Sequence, residues 1–161
     1  MRINSKINSD FKTLNQYNKI YPWIPNETQI RPTEIIITLK KMLMDKISLE
    51  YNSTRDYILI NVFHNDGFNT NGKLIAKNSI EKLNKFEVCR FRYELDPSTF
   101  HYIMWYTSIK KDLIDEEITR DIKNNIYSFL KKDDFSFVWY ENPKMTIKDI
   151  YHVHVFWVKH Q

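Results

Sequence analysis

The residues best suited to chemistry are three histidines, His101, His152 and His154. His152 and His154 are separated by one residue in YHVHVFWV, which reads as a terminal strand. Their side chains therefore leave one face, with Cα atoms about 6.6 Å apart at ~3.3 Å rise per residue. Tyr151, Val153, Val155 and Trp157 fill the other face as a core stripe. His101 lies in a second β-forming run, TFHYIMWYT. Neighbouring strands lie about 4.8 Å apart, so an adjacent placement brings three imidazoles onto one face.

Two kinds of chemistry suit such a set. Three imidazoles can ligate a divalent metal such as zinc and leave a fourth position for water, whose pKa the metal lowers toward ~7. That supports hydrolysis or hydration. Without a metal, one imidazole can take a proton from a phosphoester reaction and another give one, with Arg92, Lys110 or Lys111 holding the anion. Trp105 shares the strand face of His101 and is read as a pocket wall; Trp105, Arg92 and Lys110 are the candidate ligand-binding residues. The plainer alternative is that all three histidines are hydrogen-bonded interior or cleft residues.

Other familiar chemistries are missing. A histidine triad needs a third alternating histidine, and position 156 is Phe. Neither His64-Asn65-Asp66 nor His101-Tyr102-Ile103 supplies the His-x-Thr/Ser of a two-histidine phosphoesterase. There is no glycine-rich phosphate loop, dinucleotide motif, Cys-x-x-Cys pair or nucleophile elbow, and Gly67 and Gly72 are the only glycines. Cys89, the single cysteine, rules out an intramolecular disulfide and reads as a buried structural thiol in a reducing compartment. Trp23, Trp105, Trp139 and Trp157 read as core aromatics before base-stacking ones.

These residues must be positioned by a mixture of elements. Residues 1–27 read as a loosely structured arm whose aromatics dock on a compact core, 28–161. Pro32 and the recurrence of Ile35, Ile36, Leu39, Met42, Leu43 and Ile47 predict an amphipathic helix over 33–50 with that stripe buried. DYILINVFH predicts a strand near 57–63, leaving into turns at Asp66-Gly67 and Asn71-Gly72. A short helix is expected over 79–85, then a strand over 86–93 with Phe91 and Tyr93 on its buried face. Residues 99–107 read as the central strand. Ile114, Ile118, Ile122, Ile126, Phe129 and Leu130 mark a helix over 113–131, with acidic residues at its start and lysines after it. Strands near 135–141 and 151–158 complete a single α+β domain. Its mixed or antiparallel sheet has about five strands, with two main helices on one face.

Composition bounds the rest. The formal charge is +4 over 161 residues, with 11 Lys/Arg against 7 Asp/Glu in residues 1–80 and 13 against 13 in 81–161. No basic patch emerges, so nucleic-acid binding has weak support. No window has the ~18 apolar residues of a membrane span, and the polar opening residues do not read as a signal peptide. Abundant Ile, Lys, Asn and Tyr with a single alanine, Ala76, point to an AT-rich genome, microbial or that of a large DNA virus. The expected location is cytoplasmic, the host's cytoplasm for a viral protein.

The second half also carries a family pattern: His101-Tyr102-Ile103-Met104-Trp105, then a helix, Asn142-Pro143, and His152-Val153-His154-Val155-Phe156. Over roughly residues 91–158 this resembles the fungal N-acetylglucosamine-induced protein family, a largely uncharacterised family that is expected to extend to large DNA viruses. The resemblance implies a shared fold and places the three histidines in its site without naming a reaction. Phe91-Arg92-Tyr93 stands where that family tends to have Phe-Pro-Tyr, and Tyr106-Thr107-Ser108 where it tends to follow its Trp with Ser.

Two functional classes fit. The first is a binding module for a small molecule or a protein partner, with a histidine-lined cleft. The alternative is a hydrolase or phosphoesterase-like enzyme using His101, His152 and His154. The absence of a complete catalytic constellation favours the binding module.

Overall fold

The structure is a computed structural model that describes residues 13–28, 32–78, 81–132, 134–143 and 145–160. Its element order is α1 (Leu14–Ile20), α2 (Glu34–Glu50), α3 (Thr54–Asn61), β1 (Gly67–Thr70), β2 (Lys73–Ala76), β3 (Asn84–Val88), β4 (Thr99–Tyr106), α4 (Asp115–Leu130), β5 (Phe135–Tyr140) and β6 (His152–Lys159). It is α+β, as the patterning predicts. Among the described residues the main sheet has four antiparallel strands in the order β3-β4-β6-β5, and β1-β2 form a separate hairpin.

The sheet is covered on both sides, where the sequence predicts one. Phe86, Met104, Val153, Val155 and Trp157 pack with Ile118, Ile122 and Ile126 of α4. Tyr106 donates to Asp121 Oδ2 at 2.9 Å, and Trp139 Nε1 to Thr119 Oγ1 at 2.9 Å, tying this face to the helix. On the other face Ile103 and Trp105 pack with Ile58, Leu59 and Val62 from α3 and Ala76 from the hairpin. The α4 stripe is fully buried only at its centre: Ile114 and Phe129 are more than half exposed, although the Phe129 ring still lies 6.0 Å from those of Phe86 and Tyr102.

Residues 57–63 are not a strand. Ser53 Oγ accepts from Asp56 N and starts α3, whose Ile58, Leu59 and Val62 fall on one helical face. Asp56 Oδ1 then accepts from Ala76 N at 2.8 Å, so the helix is bolted to the hairpin. The β-branched content of DYILINVFH is overridden by that cap and by packing. Asn71 and Gly72 do take positive φ, 53° and 83°, in the two-residue turn of the hairpin. Gly67 does not; the left-handed residue there is His64, with φ 59°.

Other departures are local. Residues 79–80 of the expected short helix lie outside the described residues, 81–83 are not helical, and β3 begins at Asn84. β3 ends at Val88, yet the alternation persists beyond it: Cys89 is buried, Phe91 and Tyr93 half-buried, Arg90 and Arg92 exposed. Within the stretch read as an arm, residues 1–12 lie outside the described residues, and Leu14–Ile20 is helical with a Thr13/Gln16 capping box. Leu14, Tyr17 and Ile24 join the main core, and Tyr17 donates to Trp139 O at 2.9 Å.

The helix over 33–50 is present, but Ile47 is its only buried residue; Ile35, Leu39 and Met42 are exposed. The less exposed residues of α2 are Ile36, Lys40, Leu43, Met44 and Ile47, a stripe at the three-and-four spacing that keeps Ile36, Leu43 and Ile47 of the predicted set and takes in Lys40 and Met44.

Candidate functional site

β4 and β6 are neighbours, with His101 opposite Phe156, Ile103 opposite His154 and Trp105 opposite His152. Directly opposed residues of an antiparallel pair project to the same side, so His101, Trp105, His152 and His154 share one face. All four are buried.

His101 and His154 meet directly, Nε2 to Nδ1, at 2.8 Å. The direction of that bond is set from outside the sheet, because Tyr93 N donates to His101 Nδ1 at 3.2 Å. A ring nitrogen that accepts is unprotonated, so the proton of neutral His101 is on Nε2 and is donated to His154 Nδ1. Neutral His154 must then carry its own proton on Nε2. His152 has the opposite tautomer: its Nδ1 lies 3.1 Å from Ile150 O, which only accepts, so Nδ1 is protonated and Nε2 keeps a lone pair.

Burial keeps these rings neutral. It pushes His101 down to about 3, with Arg92 adding in the same sense. Burial also holds His154 well below the ordinary histidine value, reinforced by His101, His152 and Lys40. His152 is lowered chiefly by burial, against opposing contributions from its bond to Ile150 and from Glu141. Aromatic rings fix the orientations: Tyr93 stacks on His154 at 5.9 Å between centroids, and Trp105 lies 4.6 Å from His152.

This face opens on a cavity of about 780 Å³ between the sheet, α2, α3 and the segment after β3. His152 and His154 line it, as do Trp105, Tyr93, Glu87 and Arg92. His101 lies beneath His154 and orients it without lining the cavity. Glu87 accepts from Trp105 Nε1 at 3.2 Å, and burial raises its carboxyl above the usual range.

Lys110 is not part of the cleft: its ammonium pairs with Glu141 at 2.9 Å on the surface. Sequence reasoning also passes over Tyr93 and Lys40. Tyr93 is visible as the last residue of Phe91-Arg92-Tyr93, whereas nothing in the sequence turns the Lys40 face of α2 inward.

Among the described residues the grouping of metal-ligand atoms is Cys89, His101 and His154, within 4.8 Å of one another, and it leaves out His152. It does not fit a metal well. A proton occupies His101 Nε2, and shedding it to ligate a metal would require either an imidazolate or the loss of the Tyr93 bond. Burial pushes the Cys89 thiol up to about 11, away from the thiolate that binds metals.

The fold and cleft together define an antiparallel α+β protein with an oriented histidine pair beneath a cavity. The chain belongs to the family described as "Protein of unknown function (DUF3605)", which matches residues 34–158. No curated protein matches it. The solved structure titled "Crystal Structure of HTC1" aligns with a TM-score of 0.45 at 11% identity, covering 83% of this chain and 78% of that one. No helix among the described residues is long and apolar enough to cross a membrane.

Proposed function

We propose that this protein is a binding module for a small organic molecule, held in the cleft above His152 and His154. The single observation that carries the reading is the opposed tautomers of the two rings. They give one ring donor, His154 Nε2–H, and one ring acceptor, His152 Nε2, on a cavity with otherwise mostly apolar and aromatic walls. A few convergent polar groups in a largely apolar pocket are the usual composition of a small-molecule site. A hydroxyl, amide or carbonyl-bearing ligand can satisfy both rings. The motif resemblance to the N-acetylglucosamine-induced proteins fits this reading in that two of the histidines that carry it, His152 and His154, line the cleft, and the third, His101, orients His154. A reducing, cytoplasmic setting fits the lone buried thiol.

The hydrolase alternative keeps one supporting observation, the unprotonated His152 Nε2, which has the state a general base needs. Against it, the thiol on the cavity wall, Cys89, is pushed up to about 11 by burial and so held away from the nucleophilic thiolate.

A thermal-shift screen of small metabolites tests the binding reading. A ligand at 100 times its Kd stabilises the native state by about 2.7 kcal/mol. Ligands of the cleft should lose that stabilisation in His152→Phe, which keeps a ring against Trp105 but removes the acceptor. Hits that stabilise His152→Phe as well as the parent, or a screen without hits, would count against the proposal.

A further inference from the structure

The cleft carries a charge pattern that the histidines do not explain. Lys40 lies in the inward stripe of α2, at the spacing of Leu43, Met44 and Ile47, a position where an apolar residue would serve packing better. It is half-buried, and its charge is felt at Cys89, His152 and His154. Arg92 comes to the same cavity from the segment after β3, and its charge is felt at His101 and Cys89. Among the described residues neither Lys40 nor Arg92 has an ion-pair partner.

A third cation, Arg90, also lines the cavity but is engaged, its Nη1 donating to Tyr57 OH at 2.9 Å. The one acidic residue of the lining, Glu87, is occupied by Trp105. Three cations therefore face one carboxyl in a space whose other walls include Leu43, Met44, Ile58, Val62 and Ile103, with Asn61, Asn142 and Thr146 as neutral polar groups. Charges held over low-dielectric walls act on a ligand far more strongly than the same charges in water.

Resting on the cleft reading above, we propose that the ligand is an organic anion. Its carboxylate, phosphate or sulfonate group lies between Lys40 and Arg92, and an apolar or aromatic body lies over Trp105 and the histidine pair. The cationic end selects the anion, and the paired rings orient the body.

Two dyes of matched shape test this: 8-anilino-1-naphthalenesulfonate, an anion, and its neutral analogue N-phenyl-1-naphthylamine. The anionic dye should bind the intact protein about tenfold tighter or more, and each dye should displace the other. That preference should weaken as salt is raised. Lys40→Met and Arg92→Met should each weaken the anionic dye by more than they change the neutral one, eroding the preference, and thermal melts by circular dichroism report that the variants are folded. Equal affinities for the two dyes, or a preference untouched by both substitutions, would overturn the anion assignment and leave the cleft standing. Failure of both dyes to bind would overturn the assignment and the cleft reading together.

Discussion

The two faces of β6 are equally dry and differently built. Val153, Val155 and Trp157 on one side and His152, His154 and Phe156 on the other are all buried. The first set is closed by the isoleucines of α4. The second relies on hydrogen bonds that account for ring protons one by one, and it adjoins open volume. Burial therefore does not separate core from site in this protein. What separates them is polarity next to space: the apolar face is stabilised by packing, whereas the histidine face is stable only while its rings stay neutral.

Acid is the harshest way to break that comparison. His101 and His154 are held far below the ordinary histidine value by burial, and in the unfolded chain both titrate near 6.5. Below about pH 6.5 the unfolded state takes up protons that the native state refuses. Their contribution to stability is thus complete above that pH and is lost as pH falls toward the native values. His101, with its native value near 3, alone costs about 1.4 kcal/mol per pH unit and so removes roughly 2.7 kcal/mol by pH 4.5, and His154 adds to the loss in the same direction. Urea unfolding between pH 7 and 4.5 should show this loss, and a His101→Gln/His154→Gln double variant should have a distinctly flatter pH profile. Parallel profiles would mean that the pair is not held neutral.

The apolar face should break by a different route. Ile122 is fully buried on α4, so Ile122→Ala should cost about 2–5 kcal/mol in urea at neutral pH through lost contacts and a cavity. It should leave the acid profile and ligand affinity of the cleft alone. Ile35→Ala sharpens the contrast: Ile35 is 72% exposed, so its truncation should change stability by no more than about 0.5 kcal/mol.

That contrast also shows what the sequence makes legible. β4 and β6 are legible from their β-branched and aromatic content although both of their faces are covered, and α4 follows from its three-and-four period because the centre of that stripe meets the sheet. α2 differs from α4, since the stripe of Ile35, Leu39 and Met42 is apolar yet faces outward. α3 is legible only through its ends. Ser53 and Asp56 mark a helix start that the β-branched run conceals, as Thr13 and Gln16 do for α1. The shared face of His101, His152 and His154 follows from alternation plus strand adjacency. Their tautomers do not, because the bond that orients His101 comes from Tyr93, beyond the end of β3.

The smallest expected effect concerns Lys110, which sequence proximity groups with the site and the structure sets on the surface. Its ammonium pairs with Glu141 Oε1, whose other carboxylate oxygen accepts from Tyr151 OH at 3.2 Å. The lysine side chain is 68% exposed, so the pair is solvated on one side and worth about 0–1 kcal/mol. Lys110→Ala should therefore leave the unfolding midpoint nearly unchanged, with Tyr151 still holding Glu141 in place. Dye affinity should be unchanged too, because the substitution removes no group that lines the cavity. One indirect effect has a definite sign. Glu141 favours the protonated form of His152, so stripping its lysine should raise the His152 pKa slightly, measurable in an NMR titration of the ring. If Lys110→Ala instead weakened the anionic dye as much as Lys40→Met does, the anion would be held near the surface pair, and Lys110 would belong to the cleft after all.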